Sequence, residues 1–397
     1  MRSVKLKIDG SFWDSQIYSN QFTLFDFEGG IHHLQWDAAI DSIAQKNLGI
    51  QTAFRVSFSD GDLFYNPKVR KILRDPAVSP IIKSQLDDLS YLDISESFSN
   101  WKGFLTSHDS PFDFLPTDTE VYYNQVFAGN DNGLFSTPNN VLAKKTKKHF
   151  DGSVLKINAS DRHTALAVAA GSDGLFEFAY KDDVTTVLGD EHLLNSTPCS
   201  ACEWAFQSVM GWSNEGAFLA SFNEEKGRDS NKKIRSFDRI INGVDMFNFD
   251  QYRSSGYIWG SREKMYRFRD GGIDVAHYSP KITKNGKYKE HFSHDGVISI
   301  PKLTPTSIIA TGTAPFGTVI ETDDSLIVLR SDGVEEIFTG EVVHWRIFPR
   351  SEHYNNQLHI IYEDHILIVS FVHDYFVDQD KKLSGFSRNL KGSDTLY

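Results

Sequence analysis

Cysteine is nearly missing from this chain: 397 residues hold two, Cys199 and Cys202. A fold stapled by disulfides is therefore excluded. No run approaches the roughly 18–20 apolar residues that a membrane helix needs. The opening MRSVKLKIDGSFWDS alternates charged and apolar residues and has no apolar core of the signal-peptide kind. Basic residues are in deficit, 41 Lys and Arg against 53 Asp and Glu, for a net charge of −12. A generic phosphate binder needs a basic face, so the balance opposes nonspecific contact with nucleic acid or anionic membrane. There is no G-x-S-x-G elbow, H-E-x-x-H pair, P-loop or strand-linked Rossmann glycine pattern. Thr311–Gly317 is glycine-spaced, but Pro315 and the lack of a lysine deny it a phosphate cradle. The expectation is a cytoplasmic protein, monomeric on its own, with no cofactor, no metal and no catalytic residues of a known pattern.

What the chain does have is aromatic residues, 30 Phe and 15 Tyr among them, which suit pleated sheets. The stretch Val121–Lys145 (VYYNQVFAGNDNGLFSTPNNVLAKK) reads as three short strands. VYYNQVFAG is the first, Asp131-Asn132-Gly133 a tight turn, Leu134–Ser136 the second strand, Pro138-Asn139-Asn140 another turn, and Val141–Ala143 the start of the third. Such a meander is marginal alone and must stack on neighbours. Copies exist: Gly174-Leu175-Phe176 matches Gly133-Leu134-Phe135 at 174 − 133 = 41 residues. Further copies lie at Trp259–Phe268, at Thr318–Gly333, and at His359–Phe371, the last displaced by 365 − 325 = 40 residues. Looser ones lie at Phe25–Leu34, Val56–Tyr65 and Trp212–Phe222. Leu134, Leu175, Met265, Leu326 and Ile366 are expected in equivalent places of successive sheets. A period in the forties with several strands per unit is the mark of propeller blades.

Between the copies the period changes. After a possible turn or two of helix at Asp37–Gln45, Val69, Ile72, Leu73, Val78, Ile81, Ile82, Leu86 and Leu89 fall at intervals of three and four, the spacing of amphipathic helix. Residues 67–104 are expected to be a helical insertion, serving either as a binding arm or as a cover for a blade edge. A basic, turn-rich loop is expected at 279–304, and a polar tail at 376–397. The remainder of 1–375 is the repeat domain.

Acids recur in the turns. Glu28, Asp60, Asp62, Asp131, Asp173, Glu215, Glu263, Asp323, Asp324, Glu363 and Asp364 each fall in what reads as the same turn of a blade. Asp belongs in tight turns for backbone reasons, whereas Glu has no such preference. Turns gathered on one face would form a negative crown that attracts a basic peptide. Lysine clusters at Lys144–Lys148, Lys232–Arg235 and Lys281–Lys289 read as solvated strand edges. Cys199-x-x-Cys202 stands before an apolar strand pattern and has no paired metal ligands, so it reads as buried and structural. The His291-x-x-His294 spacing has no partner pair either. Asp161 with His163, or Asp250, would be the participants of a propeller hydrolase, the second function class. A third is single-stranded nucleic-acid binding through 281–289, with Tyr278, Tyr288 and Phe292 stacking on bases.

In period and strand count the copies resemble WD40-like β-propeller repeat proteins. No Gly-His opens a blade, and of the two Trp-Asp pairs, Trp13-Asp14 and Trp36-Asp37, only Trp36-Asp37 stands where one would close a blade. AGNDNGLF and AGSDGLFEF are more similar to the divergent propellers of bacterial cytoplasmic proteins. The resemblance spans roughly four-fifths of the chain and carries no catalytic residues. It implies an all-β fold of seven blades, or eight if every turn is counted. The expected function is a scaffold that holds a protein partner. The expected contacts are the acidic turns Asp60, Asp62, Asp131, Asp173, Glu263, Asp323, Asp324, Glu363 and Asp364, and the insertion residues Val69, Ile72, Leu73, Ile82 and Leu86.

Overall fold

The sheet built from Asp118 to Phe150 has four strands rather than the three expected. In the computed structural model, Asp118–Tyr122 and Gln125–Asn130 are separate strands, antiparallel from Asp118↔Gly129 to Tyr122↔Gln125. The turn between them is Tyr123-Asn124, with φ of 46° and 58°. Both residues are left-handed, as a two-residue hairpin demands. A Tyr in that position gives no turn signal, which is why the sequence reads as one strand. Gly133–Pro138 follows as the third strand and Lys147–Phe150 as the fourth. The expected strand at Val141–Ala143 lies outside the described residues.

The structure describes residues 3–59, 67–139, 146–160, 162–181, 187–205, 207–214, 216–226, 233–247, 257–261, 264–269, 271–278, 281–282, 288–289, 292–300, 308–330, 334–351 and 353–371. Its sheets are those of a seven-bladed β-propeller. Each blade is built on a four-stranded antiparallel meander; in blades 1 and 5 other elements intervene before the fourth strand, and the last blade borrows its fourth strand from the N-terminus.

The chain divides into two compact units. The first, residues 1–113 with 309–386 and 397, holds three blades. Blade 1 is Asp14–Tyr18, Gln21–Phe25, Gly30–Gln35 and Leu105–Asp109. Blade 6 is Ile308–Ala314, Gly317–Thr322, Ser325–Arg330 and Glu335–Thr339. Blade 7 is His344–Ile347, Gln357–Ile361 and His365–Ser370, completed by the N-terminal strand Val4–Asp9. That strand runs antiparallel to the third, from Val4↔Ser370 to Asp9↔His365. Alternation sets which side is buried: Val4, Leu6 and Ile8 are fully buried, facing the same core as Ile366 and Ile368.

Helices interrupt blade 1 between its third and fourth strands. They are α1 (Trp36–Lys46), α2 (Gln51–Phe58), α3 (Pro67–Leu73) and α4 (Ser79–Leu89). The helical segment begins at Trp36, ahead of Pro67, and the fourth strand of blade 1 starts at Leu105. Val56–Phe58, read from its alternation as strand, is the end of α2. Ala53, Phe54, Val56 and Phe58 are all buried, and Phe54 packs on Phe58 at 4.9 Å between rings. An F-x-V-x-F alternation satisfies a strand, but here the second copy of the apolar face meets α1, and tertiary contact decides. With that copy removed, seven blades remain. The strand Ile94–Ser97 then lies parallel to the N-terminal strand, a fifth member of blade 7.

The second unit, residues 114–308 with 387–396, holds four blades. After blade 2, described above, blade 3 is Lys156–Ala159, Ala165–Ala169, Leu175–Tyr180 and Leu188–Asn195. Blade 4 is Ala201–Ala205, Ser208–Ser213, Gly216–Lys226 and Lys233–Asn242, with the short helix α5 (Gly243–Met246) after it. Blade 5 is Ile258–Ser261, Lys264–Arg269, Gly272–Tyr278 and Phe292–Ser299. Phe292–Ser299 is thus a blade strand, and among the described residues of the expected basic loop the small ladder Lys281–Ile282 with Tyr288–Lys289 stands apart from the blade. The expected tail at 376–397 lies outside the described residues.

Leu134, Leu175, Leu326 and Ile366 are all fully buried on third strands, as their spacing predicts. Met265 is fully buried too, but on the second strand of blade 5. Both hairpins of a blade are apolar-turn-apolar, so WGSREKMYRF, which spans the first hairpin of blade 5, matches the frame of the second.

Candidate functional site: acidic turns and the helical insertion

The turn between the second and third strands of each blade is where most of the acids fall. In the first unit these turns carry Glu28, Asp323 with Asp324, and Glu363 with Asp364; in the second, Asp131 and Asp173. Each of these seven side chains belongs to an exposed residue. Glu215 belongs to the same turn of blade 4 but lies outside the described residues. Asp60, Asp62 and Glu263 also lie outside them. Glu263 falls between the first and second strands of blade 5, so the frame slip at Met265 takes it out of the set. Asp60 and Asp62 follow α2 in the sequence. The acid that the sequence places in the corresponding turn of blade 5 is Asp270.

Several turn acids work locally, as backbone chemistry predicts. Asp26, two residues before Glu28, accepts the N–H of Glu28 at 2.9 Å and of Gly30 at 2.6 Å, and pairs with His32 Nε2 at 2.9 Å. Burial disfavours its charge, but the bonds from Gly30, His32 and Glu28 outweigh this and hold the carboxyl below its ordinary value. Asn130 Oδ1 accepts the N–H of Asn132 at 2.9 Å, an Asx turn that leaves Asp131 outermost. Asp364 receives a 2.6 Å bond from His365, which lowers its carboxyl pKa. Asp324 Oδ1 accepts from Thr322 at 3.2 Å. Glu28 and Glu363 have no such turn-making role in the geometry.

Charges at the starts of first strands are used differently. Asp14, fully buried, takes Arg346 in a two-pronged pair, Nε to Oδ1 and Nη2 to Oδ2, each 2.7 Å. Asp118, at the same place in blade 2, accepts the Ile157 N–H at 2.7 Å and Lys156 Nζ at 3.3 Å. Both pairs join the first strands of neighbouring blades within one unit. Ser15 Oγ lies 3.0 Å from His359 Nδ1, yet both residues are fully buried. Burial drives the His359 pKa down to about 3, so this Ser–His pair has neither access nor a useful base. His163 packs near Trp204 and accepts through its backbone carbonyl from Tyr122 Oη at 3.0 Å. Asp161 and Asp250 lie outside the described residues. Among the described residues no group of three His, Cys, Asp or Glu side chains could hold a metal ion.

The insertion's apolar stripe faces inward. Leu73, Ile82, Leu86 and Leu89 are buried in one core with Leu6, Ile8, Trp36 and Phe58, and Val69 and Val78 pack against it. Burying a leucine contributes about 1.5–3 kcal/mol, so Leu73, Ile82 and Leu86 are committed to the core and are not a surface for a partner. Ile72 and Ile81 differ, with exposures of 57% and 60%. Spacing alone groups Ile72 with Leu73, Ile82 and Leu86; the core that takes up the last three is set by tertiary contacts.

The remaining candidates resolve simply. Cys199 and Cys202 are buried, Cys199 Sγ donates to Ala201 O at 3.2 Å, and burial lifts its thiol pKa to about 11 and that of Cys202 well above normal. Lys147 and Lys148 lie exposed on the outermost strand of blade 2, the solvated edge expected of them. Tyr278 is only 1% exposed and stacks on Phe292 at 5.2 Å, so it offers no face to a base. Tyr288 and His291 lie outside the residues whose side chains are described, and His294 is exposed on a blade strand. No helix among the described residues is long and apolar enough to cross a membrane.

The class these features define is a divergent seven-bladed β-propeller. No family model matches the chain, and no curated protein matches its sequence. Among solved structures it is similar to the computationally designed Ika8 protein, at 11% identity and TM-score 0.46 over 93% of this chain and 99% of that one. It is also similar to the AfRom2 CNH domain, at 10% identity and TM-score 0.32 over 64% of this chain and 94% of that one.

Proposed function

We propose that the chain is a non-catalytic scaffold that holds a protein partner bearing a basic segment. The carrying observation is that Glu28, Asp131, Asp173, Asp323, Asp324, Glu363 and Asp364, all in second-to-third-strand turns, are exposed, while Asp14 and Asp118, buried at the starts of first strands, are held by Arg346 and Lys156. Exposed carboxylates repeated on the same turn of successive blades raise the local concentration of a cationic segment and speed its arrival. The outer side of the insertion, with Ile72 and Ile81, is the apolar part of the same contact.

The test uses a Lys- and Arg-rich peptide and a neutral scramble of equal length, titrated against the full chain at several salt concentrations. Binding of the basic peptide should weaken as salt shortens the screening length to about 8 Å at physiological ionic strength. It should fall further in a variant with Asp323→Asn, Asp324→Asn, Glu363→Gln and Asp364→Asn. Equal binding of both peptides, or no loss in the variant, refutes the reading.

A further inference from the structure

The insertion and the N-terminal strand meet in blade 7, and the contacts there have a mechanical meaning. We propose that residues 36–104 act as a clasp, reaching out of blade 1 to lock the N-terminal strand into blade 7. A last blade completed by the N-terminus leaves that strand as an outer edge, held on one side only and free to fray. Here the edge is covered. Ile94–Ser97 pairs with it in parallel, from Leu6↔Ile94 to Asp9↔Ser97. Val4–Asp9 is thereby held between an antiparallel neighbour and a parallel one.

The clasp has two fastenings, both within the first unit. The first anchors the covering strand. Glu96, only 9% exposed, accepts Lys46 Nζ at 2.7 Å and Asn100 Nδ2 at 3.1 Å, so α1 and the turn after the strand hold it in register. The second grips blade 7 itself. The last carbonyls of a helix have no partner within it. At the end of α2, Ser57 O accepts Ser370 Oγ at 2.6 Å and Asn356 Nδ2 at 3.3 Å. Phe58 O accepts Gln357 Nε2 at 3.2 Å and Trp36 Nε1 at 2.5 Å. Ser370 and Gln357 are fully buried residues of the third and second strands of blade 7. The chain separation across these bonds, 313 and 299 residues, shows that they tie one end of the sequence to the other.

The arrangement makes release of the N-terminal strand conditional on the insertion. Ser95, exposed on the covering strand, is the place to test it, because a substitution there disturbs the backbone and not the core. Proline at 95 removes an N–H and does not fit a paired strand. In the full chain, hydrogen exchange of the Val4–Asp9 amides should quicken about tenfold or more in Ser95→Pro. Ser95→Ala should match the parent, and the blades of the second unit should keep their protection in both. A second variant, Glu96→Ala, keeps the strand's backbone but loses the Lys46 and Asn100 ties, and should show the same selective change, smaller in size. Unaltered protection of Val4–Asp9 in Glu96→Ala and in a folded Ser95→Pro overturns the clasp. So does a loss of protection spread evenly over both units in either variant.

Discussion

Replacing Asp14 by alanine should be among the most damaging single changes in the first unit, and the structure sets the size. Asp14 is fully buried and accepts both prongs of Arg346 at 2.7 Å, together with the N–H of Ser15 at 2.7 Å. Arg346 is itself only 7% exposed. Removing the carboxylate leaves a guanidinium in the interior with its counter-charge gone, a loss of about 3–5 kcal/mol. The pair is worth far less than that figure, because bringing both charges out of water was costly in the first place. Asp14→Ala combined with Arg346→Met should therefore recover most of the loss and lie within about 1–2 kcal/mol of the parent. Urea unfolding followed by tryptophan fluorescence measures this, with Trp13 and Trp345 each next in sequence to a member of the pair. If Asp14→Ala costs under about 1 kcal/mol, or if the double variant shows the sum of two large losses, the pair is not the buried tie described.

Other outcomes follow from the same geometry. Burial holds His359 at about 3 and His33 and His149 at about 4, whereas unfolded histidine titrates near 6.5, so the unfolded chain binds more protons between those values. Stability should accordingly be level above pH 6.5 and fall as pH drops from 6.5 toward 4, and His359→Gln should flatten the slope in a pH series of thermal melts. Gly174 has a φ of 101°, and a Cβ there would meet Asn195 O at 2.1 Å, whereas Gly216, at 128°, has nothing within 4 Å. Gly216→Ala should cost about 1–2 kcal/mol from backbone strain, and Gly174→Ala more, since crowding adds to strain. Cys199 and Cys202 should react with a thiol reagent only on unfolding, because burial raises both thiols; rapid labelling of the native chain would contradict their placement.

The recurring Gly-Leu-Phe and its apolar neighbours determined the repeat, the blade period and the burial of Leu134, Leu175, Leu326 and Ile366. Those are local properties: strand periodicity and turn chemistry act over a few residues, and a chain of blades is built from local meanders. The second-to-third turns were legible for the same reason. What stayed hidden was whatever depends on partners far off in the chain. Tyr123-Asn124 adopts a left-handed turn without the glycine that would announce it. Val56–Phe58 alternates like a strand but joins a helix because α1 supplies the surface that it buries. Which side of α3 and α4 is taken up by the core, and which leaves Ile72 and Ile81 outside, was decided by packing against Val4–Asp9 and Ile366–Ile368. Asp14 could not have been matched to Arg346, nor Ser57 to Ser370, by any pattern of spacing. The members of the two pairs lie 332 and 313 residues apart, and only closing the last blade with the first strand brings them together.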